Sequence, residues 1–531
     1  VQVLQYGILE HSFHHSGSYD NPYTQLQAVA QFTGPDGVNE RRIPLFWDGG
    51  RTWRFRFSPD AVGTWSWRTY SADMVSVDAG LDGHAGTFEV VPSERKGSIR
   101  PMAGYPCHFE RQDGSRFWFL GDTAWSLYAD SAEQRHDRAA VERYLDARAA
   151  QGFNVVHSML LQEEGWINNG GAPFDPLEQE RLNSAYWREV DRRLAYLNDV
   201  GIVGGLVLAW GRKKWDDTEP FAWDRFPGLE AKIRYARYVA ARYSAYDIYF
   251  IVAGEWNASG HDAGNDRTRR EYVRIGEALR AADPHLRMIG IHPGCHGNHF
   301  VREFNDAADW MDFGDYQQNY SHLNAEVVAS RRFHKPVVNG EYAYYLRDAD
   351  EDGVVDKPNS QSLEVTRHAT WDIVMGGGYV VGGFGSTYMG GARNRGPFDV
   401  DAPRNDDWEA QIQHLPALFR ETAWWRLAPR NDLLHTAVAR GEERQIHGRP
   451  APPTTTYWCL AEPGEQYVVY VRGLAAEVSL SLDAPAETYV ARQFDPRTGA
   501  FEDLGVRRDA TTCIAHPPDE RDWIVLLQKI R

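Results

Sequence analysis

The sequence predicts an α/β protein: a (β/α)8 TIM barrel flanked in the chain by an N-terminal and a C-terminal β-sandwich. Three observations predict it. From about residue 116, apolar runs and amphipathic helical stretches alternate through eight strand-like segments, and that rhythm implies a closed parallel barrel. On either side of that region the helical period vanishes, leaving short alternating strands between glycine-, proline- and aspartate-rich turns. Within the middle region, two apolar runs end abruptly in a glutamate, Asp247–Glu255 and Lys335–Glu341.

In residues 1–95, Thr52–Phe57 and Thr64–Arg68 alternate polar and apolar around the turn at Asp60–Gly63, and Gly86–Val90 adds a further strand. This is the expected N-terminal sandwich, with Ser93–Gly97 as a linker. Residues 96–430 are expected to form the barrel. Phe117–Gly121 reads as its first strand. Ser131 with Gln134 three residues on has the spacing of a capping box, opening a helix that carries Val141, Tyr144, Leu145 and Ala149 on one face and ends at Gly152. The strand Phe153–Leu161 follows, then a helix from about Ala185 to Gly201, the strand Ile202–Ala209, and a helix through Tyr235 and Val239 leading to the Glu255 strand. Strands at Met288–Ile291, Met311–Gly314, the Glu341 segment and Tyr379–Phe384 complete eight. A doubly wound open sheet would be expected to carry an early glycine-rich phosphate loop, and Gly121–Thr123 is not one. Residues 431–531 return to short strands, Tyr467–Val471, Glu487–Ala491 and Trp523–Leu527, with turns such as Asp495–Gly499: a second, smaller sandwich.

Composition narrows the function. The 531 residues carry a formal net charge of −17, which repels nucleic acid and anionic polysaccharide at long range and favours a neutral substrate. No window approaches the roughly 18 consecutive apolar residues of a membrane span. The four cysteines, Cys107, Cys295, Cys459 and Cys513, follow no metal-ligand spacing. Compartment, cytoplasmic or secreted after loss of a leader, is left open, as is association into a homo-oligomer.

In a barrel of this kind the C-terminal strand ends build the active site. Reading those positions in order gives Asp122 and Trp125 after the first strand, His157 and Gln162 at the second, Trp210 after the third, and Glu255, Trp256 and Asn257 at the fourth. The fifth gives His292, the sixth Gln317 and Tyr320, the seventh Glu341 and Tyr344. Strands four and seven face each other across the mouth, so Glu255 and Glu341 can flank one sugar. Two such carboxylates are what glycoside hydrolysis requires. The aromatic residues Trp125, Trp210, Trp256 and Tyr320 are candidate sugar platforms, although with 19 Trp and 26 Tyr in the chain most rings must serve packing. Asp122 is read either as a sugar ligand or as a cap, and His157 and His292 as orienting groups.

The segments Phe119–Trp125, Ala253–Asn257 and Asn339–Tyr342, together with the turns Phe46–Gly49 and Val62–Trp65, make the chain resemble the apiosidase-like group of retaining (β/α)8 glycoside hydrolases with a sandwich ahead of the barrel. The resemblance implies Glu255 as general acid/base and Glu341 as nucleophile. Glu255 would then have to hold its proton near neutral pH, helped by burial and by the nearby negative charge. One departure bears on sugar specificity: Gly254 stands where the wider clan commonly has asparagine. A furanoside side chain of a neutral glycan is the expected target. A transglycosylase using the same pair and a non-catalytic carbohydrate-binding protein are the alternatives.

No cofactor is expected. His292, His296 and His299 do not make a zinc site, because the first strand lacks the His-x-His pair such barrels use. Asp348, Asp350, Asp352 and Asp356, around Gly353, follow the order of a calcium loop without its closing glutamate, since Asn359 holds that place. A structural calcium is the one metal the sequence raises.

Overall fold

The computed structural model describes residues 1–71, 77–132, 136–162, 166–211, 222–257, 266–294, 308–317, 323–343, 362–382, 406–442, 444–446, 449–474, 477–503, 507–509, 512–515 and 519–530. Its centre is an eight-stranded parallel sheet. In chain order the strands are β1 (Leu120–Thr123), β2 (Val155–Met159), β3 (Val203–Val207), β4 (Ile248–Ile251), β5 (Ile289–Gly290), β6 (Gly314–Gln317), β7 (Val337–Glu341) and β8 (Tyr379–Gly382). Pairing runs β5-β4-β3-β2-β1-β8-β7-β6, the circular order of a barrel, with β5 and β6 at the seam. Nearly every strand residue is buried, which explains why the strands read as continuous apolar runs rather than alternating ones.

Between the strands lie α1 (Arg138–Ala150), α2 (Ser184–Asp199), α3 (Leu229–Tyr243), α4 (Asp266–Ala282), α5 (Leu323–Ser330) and α6 (Leu363–Met375), with α7 (Asp406–Arg420) following β8. Helix α1 starts later than the Ser131–Gln134 spacing predicts. Asp137 is its cap, accepting from the Ala140 amide at 2.9 Å, and a carboxylate directly before Arg138 displaces the upstream candidate. Strand β1 likewise begins at Leu120 rather than Phe117. Arg116–Phe117 instead joins a three-stranded antiparallel sheet with Tyr105–Arg111 and Ile99–Met102. That sheet sends Phe109 against Phe119 and Tyr379 at 5.1 Å each, beneath the N-terminal ends of β1 and β8.

In the N-terminal region, a five-stranded sheet (Gln2–Leu4, Ala85–Val91, Gly63–Ser71, Ala28–Thr33, Glu40–Pro44) faces a three-stranded one (Leu9–His14, Thr52–Phe57, Phe46–Trp47). The alternation of Thr52–Phe57 directs Trp53, Phe55 and Phe57 into a shared core with Phe32, Trp65 and Phe88; Phe32 stacks on Phe57 at 3.9 Å. Buried ions fasten this region to the barrel. Asp191 of α2 accepts from Arg56 at 2.7 Å and from Arg242 of α3 at 2.6 Å, and Arg242 also reaches Asp48 at 3.0 Å. In the C-terminal region, a six-stranded and a four-stranded sheet enclose a second core around Tyr467, Val469, Tyr489 and Val525. It is locked to α6 by Arg472–Asp372 and Arg367–Asp522. Cys107 and Cys459 are buried free thiols.

Candidate active site

Strand parity decides which predicted residues face the barrel interior. Thr123, His157, Gly205 and Tyr249 lie in register across β1 to β4. A Cβ on Gly205 would meet His157 at 2.4 Å and the Tyr249 hydroxyl at 2.6 Å, so this row points inward. The alternate row, Asp122, Val156, Gly204 and Ile248, therefore points to the helices. Asp122 is fully buried there, accepting from Arg148 Nε at 2.5 Å and the Tyr144 hydroxyl at 2.9 Å of α1. It forms a wall-to-helix ion pair, because the strand's period of two turns it away from the mouth. His157 stands on the inner face, bonded to the Tyr249 hydroxyl. Burial, reinforced by the nearby positive His292, holds its imidazole well below the usual range and therefore neutral.

The carboxylates converge. Glu255 follows β4 by four residues and adopts φ +43, a left-handed conformation that costs a non-glycine residue of order 1–3 kcal/mol and clusters at functional sites. Gly254 just before it pairs with Trp210, and a Cβ there would lie 2.1 Å from that indole. With the ring seated on bare backbone, Trp210 Nε1 donates to Glu255 Oε2 at 3.2 Å, and Gln317 Nε2 of β6 donates to Oε1 at 3.0 Å. Gln317 in turn pairs in register with Glu341, through a slip that places two residues of β7, Gly340 and Glu341, against one of β6. Such a bulge re-aims a side chain, and here it brings Glu341 onto the face that carries Gln317.

His292 stands beside the second carboxylate. Its Nε2 lies 3.4 Å from Glu341 Oε2, and its Nδ1 lies 3.2 Å from Asp315 Oδ2. Burial alone would push His292 down, but Asp315 and Glu341 outweigh it and hold the imidazole up at about 10, so a cation sits between two acids. Asp315 is pushed up by burial, with His292 offsetting part of that. Gly340 makes room for the pair: a Cβ would lie 2.4 Å from Asp315 Oδ1 and 3.1 Å from His292 Nδ1. Trp125 meets Trp210 edge-on at 5.2 Å and His292 at 5.8 Å, joining both carboxylate environments.

The remaining predicted residues divide. Gln162 is buried beside Trp210, whose amide donates to Leu161. Asn257 accepts from the Gly294 amide at 2.6 Å, tying the segment after β4 to the one after β5. Trp256 is 2% exposed and approaches Tyr272 of α4 at 6.5 Å. Its backbone amide donates to the His292 carbonyl at 3.3 Å, which ties the turn after Glu255 to the end of β5. Tyr320, Tyr344, His296, His299 and the calcium-loop residues Asp348, Asp350, Asp352 and Asp356 lie outside the described residues. No group of metal-ligating side chains occurs among the described residues. Sequence reasoning missed Asp315 and the bulge at Gly340; the alternation Phe313–Asp315–Gln317 was the available signal for the first.

Comparison with known proteins places this geometry. Residues 107–425 match the family described as apiosidase-like, catalytic domain, and residues 2–72 match a domain of unknown function, DUF5060. The first match spans more than half of the chain. The chain belongs to the apiosidase-like family. As a member, the protein is a glycoside hydrolase, and its eight-stranded parallel sheet is the barrel the sequence predicts. Among solved structures it is similar over 100% of both chains to a Bacteroides vulgatus ATCC 8482 protein provisionally described as a glycoside hydrolase, at 16% identity and TM-score 0.73. It is also similar to a glycoside hydrolase family 5 structure from the same organism, over 82% of this chain and 94% of that one, at 17% identity and TM-score 0.61. At these identities the likeness concerns the fold. No curated protein matches the sequence.

Proposed function

We propose that this apiosidase-like enzyme is a retaining glycoside hydrolase acting on a neutral glycan, with a furanoside side chain as its target. Glu341 is the nucleophile and Glu255 the general acid/base. The observation that carries the reading is Gln317: its amide holds Glu255 while its backbone stands opposite Glu341, so one residue spans both carboxylates. Retention requires carboxyl groups about 5–5.5 Å apart, a separation that a shared neighbour of this kind favours.

In the first step Glu341 attacks the anomeric carbon as Glu255 protonates the departing glycosidic oxygen. In the second, Glu255 takes a proton from water, which breaks the glycosyl ester. The positive His292 beside Glu341 suits a group that must begin and end as an anion, and Trp210 and Gln317 fix the carboxyl that exchanges the proton. Neutrality of the substrate follows from the net charge of −17.

The test is a set of aryl furanosides and pyranosides assayed with the wild type, Glu255→Gln and Glu341→Gln. Each variant is expected to remain folded and to lose activity, by at least about 10²–10⁴-fold for the acid/base. NMR of the first-formed product is expected to show the substrate's own anomer. Full activity in either variant, or an inverted product, defeats the assignment.

A further inference from the structure

Away from the carboxylates, a cleft of about 620 Å³ opens between the N-terminal sandwich and the segment joining β2 to α2. Its volume lies in the usual range for small-ligand sites, about 300–1,000 Å³. His15, Tyr19, Asp20, Trp47, Arg51 and Arg181 line it. We propose that this cleft is an auxiliary sugar-binding subsite, which holds a neutral ring of the glycan beyond the one being cleaved. The proposal rests on the glycosidase reading and extends it.

Position is the first argument. The β2–α2 connection leaves the barrel at Leu160–Gln162, beside Trp210 and thus beside Glu255, and it reaches the cleft at Arg181 and Leu182. One connection therefore runs from the Trp210 side of the barrel to the rim of the cleft.

The walls are also built in advance of any ligand. Asp78, 2% exposed, accepts from the Ser16 amide at 2.7 Å, the Gly17 amide at 2.9 Å and the Tyr19 hydroxyl at 2.7 Å, which fixes one side. On the other side, Trp47 Nε1 donates to the Gly50 carbonyl at 3.0 Å. The turn that carries Gly50 is pressed onto α2: a Cβ at Gly49, φ +95, would meet Ser184 Oγ at 2.2 Å. Arg51 donates to the His15 carbonyl at 2.8 and 2.6 Å, and Arg181 donates to the Asp20 carbonyl at 2.7 Å and its carboxylate at 2.6 Å. Such pre-ordering lowers the entropic cost of binding.

Chemistry selects the ligand. The lining sets two partly buried aromatic rings among guanidinium and carboxylate groups, with Pro22 and Leu182 as its aliphatic side chains. That matches a sugar, which offers a C–H face to a ring and hydroxyls to ions; a lipid or an apolar side chain would need a greasier wall. Asp20 offsets Arg181, and the Arg51 guanidinium is held on the His15 carbonyl, which leaves it a fixed donor for a hydroxyl.

The experiment uses the Glu341→Gln variant of the 531-residue protein, titrated calorimetrically with arabino-, galacto-, xylo- and manno-oligosaccharides of one to about six units. Affinity is expected to rise with length, and Trp47→Ala or Arg51→Gln in the same background is expected to remove about tenfold of the gain from lengthening. Trp47→Phe should restore most of it. Arg51 is exposed, so its variant keeps the result readable where Trp47→Ala fails to fold. Equal length dependence in parent and Arg51→Gln, or no gain with length in any series, overturns the subsite. Neither result bears on Glu255 and Glu341, whose test is turnover.

Discussion

Gln317 and Glu341 face each other across β6 and β7 because the register slips by one residue at Gly340. Upstream, Asp315 pairs with Val338 and Tyr316 with Asn339, and an unbroken ladder would set Gly340 against Gln317 and turn Glu341 outward toward the helices. The bulge thus converts a buried strand end into a carboxylate site. The absent side chain at Gly340 leaves the space that Asp315 and His292 occupy.

Gly340→Ala tests this. The added methyl would lie 2.4 Å from Asp315 Oδ1, and overpacking of a well-filled interior costs about 1–3 kcal/mol. We expect a fall in melting temperature together with a loss of kcat, because relief of the clash moves His292 or the bulge. A variant with wild-type melting and turnover would show that the close approach is not maintained in solution.

His292 gives stability a pH signature. Its imidazole is held at about 10 in the folded protein against about 6.5 in an unfolded chain. The folded pKa is raised, so the pairing with Asp315 and Glu341 contributes fully below about 6.5 and is lost as pH rises through about 10. Thermal melting of wild type and His292→Gln from pH 6 to 10.5 should show a gap that is widest at the acidic end and narrows upward. A gap independent of pH contradicts the charge assignment; one that widens with pH reverses it.

At the other carboxylate, Trp210→Phe keeps a ring on Gly254 and removes the Nε1–H donor to Glu255. Glu255 gains negative charge as it gives up its proton, and a donor to a charged carboxylate contributes about 1.5–3 kcal/mol. We expect kcat/KM to fall about tenfold or more with little change in melting. Gly254→Ala, which drives the indole off its seat at 2.1 Å, should lower both. If the two variants behave alike in melting and rate, the hydrogen bond has no separate role.

How much of this was legible in the sequence depended on the kind of physics involved. Runs of β-branched and aromatic residues announced the strands, because a parallel barrel buries both faces and tolerates little else. The glutamates at Glu255 and Glu341 stood out as charge at the end of such runs. Which way a strand-end residue points is set by register with its neighbours, and no single segment carries that information. Asp122 was therefore left between a sugar ligand and a cap, and its carboxylate turns to the Arg148 side instead. The Gly340 bulge was hidden for the same reason. The start of α1 was misjudged because two acceptor residues, Ser131 and Asp137, competed for one cap.

The reassignment of Asp122 carries the last prediction. Its carboxylate accepts from Arg148, Tyr144 and the Thr123 amide in a fully buried setting, and Arg148 passes on to Glu409 of α7 at 2.8 Å. Removing one member of a buried pair leaves an uncompensated charge and costs about 3–5 kcal/mol, whereas removal of a sugar ligand would raise KM in a protein of unchanged stability. Asp122→Ala is thus expected to lower the denaturant midpoint sharply, while the KM of the molecules still folded stays near the wild-type value. Replacing the set together, as Asp122→Leu with Arg148→Met and Glu409→Gln, should recover part of the lost stability, because neither Asp122 nor Glu409 is then stranded without the Arg148 cation. A variant of Asp122 that melts like wild type yet binds substrate more weakly would return the residue to the substrate side of the strand.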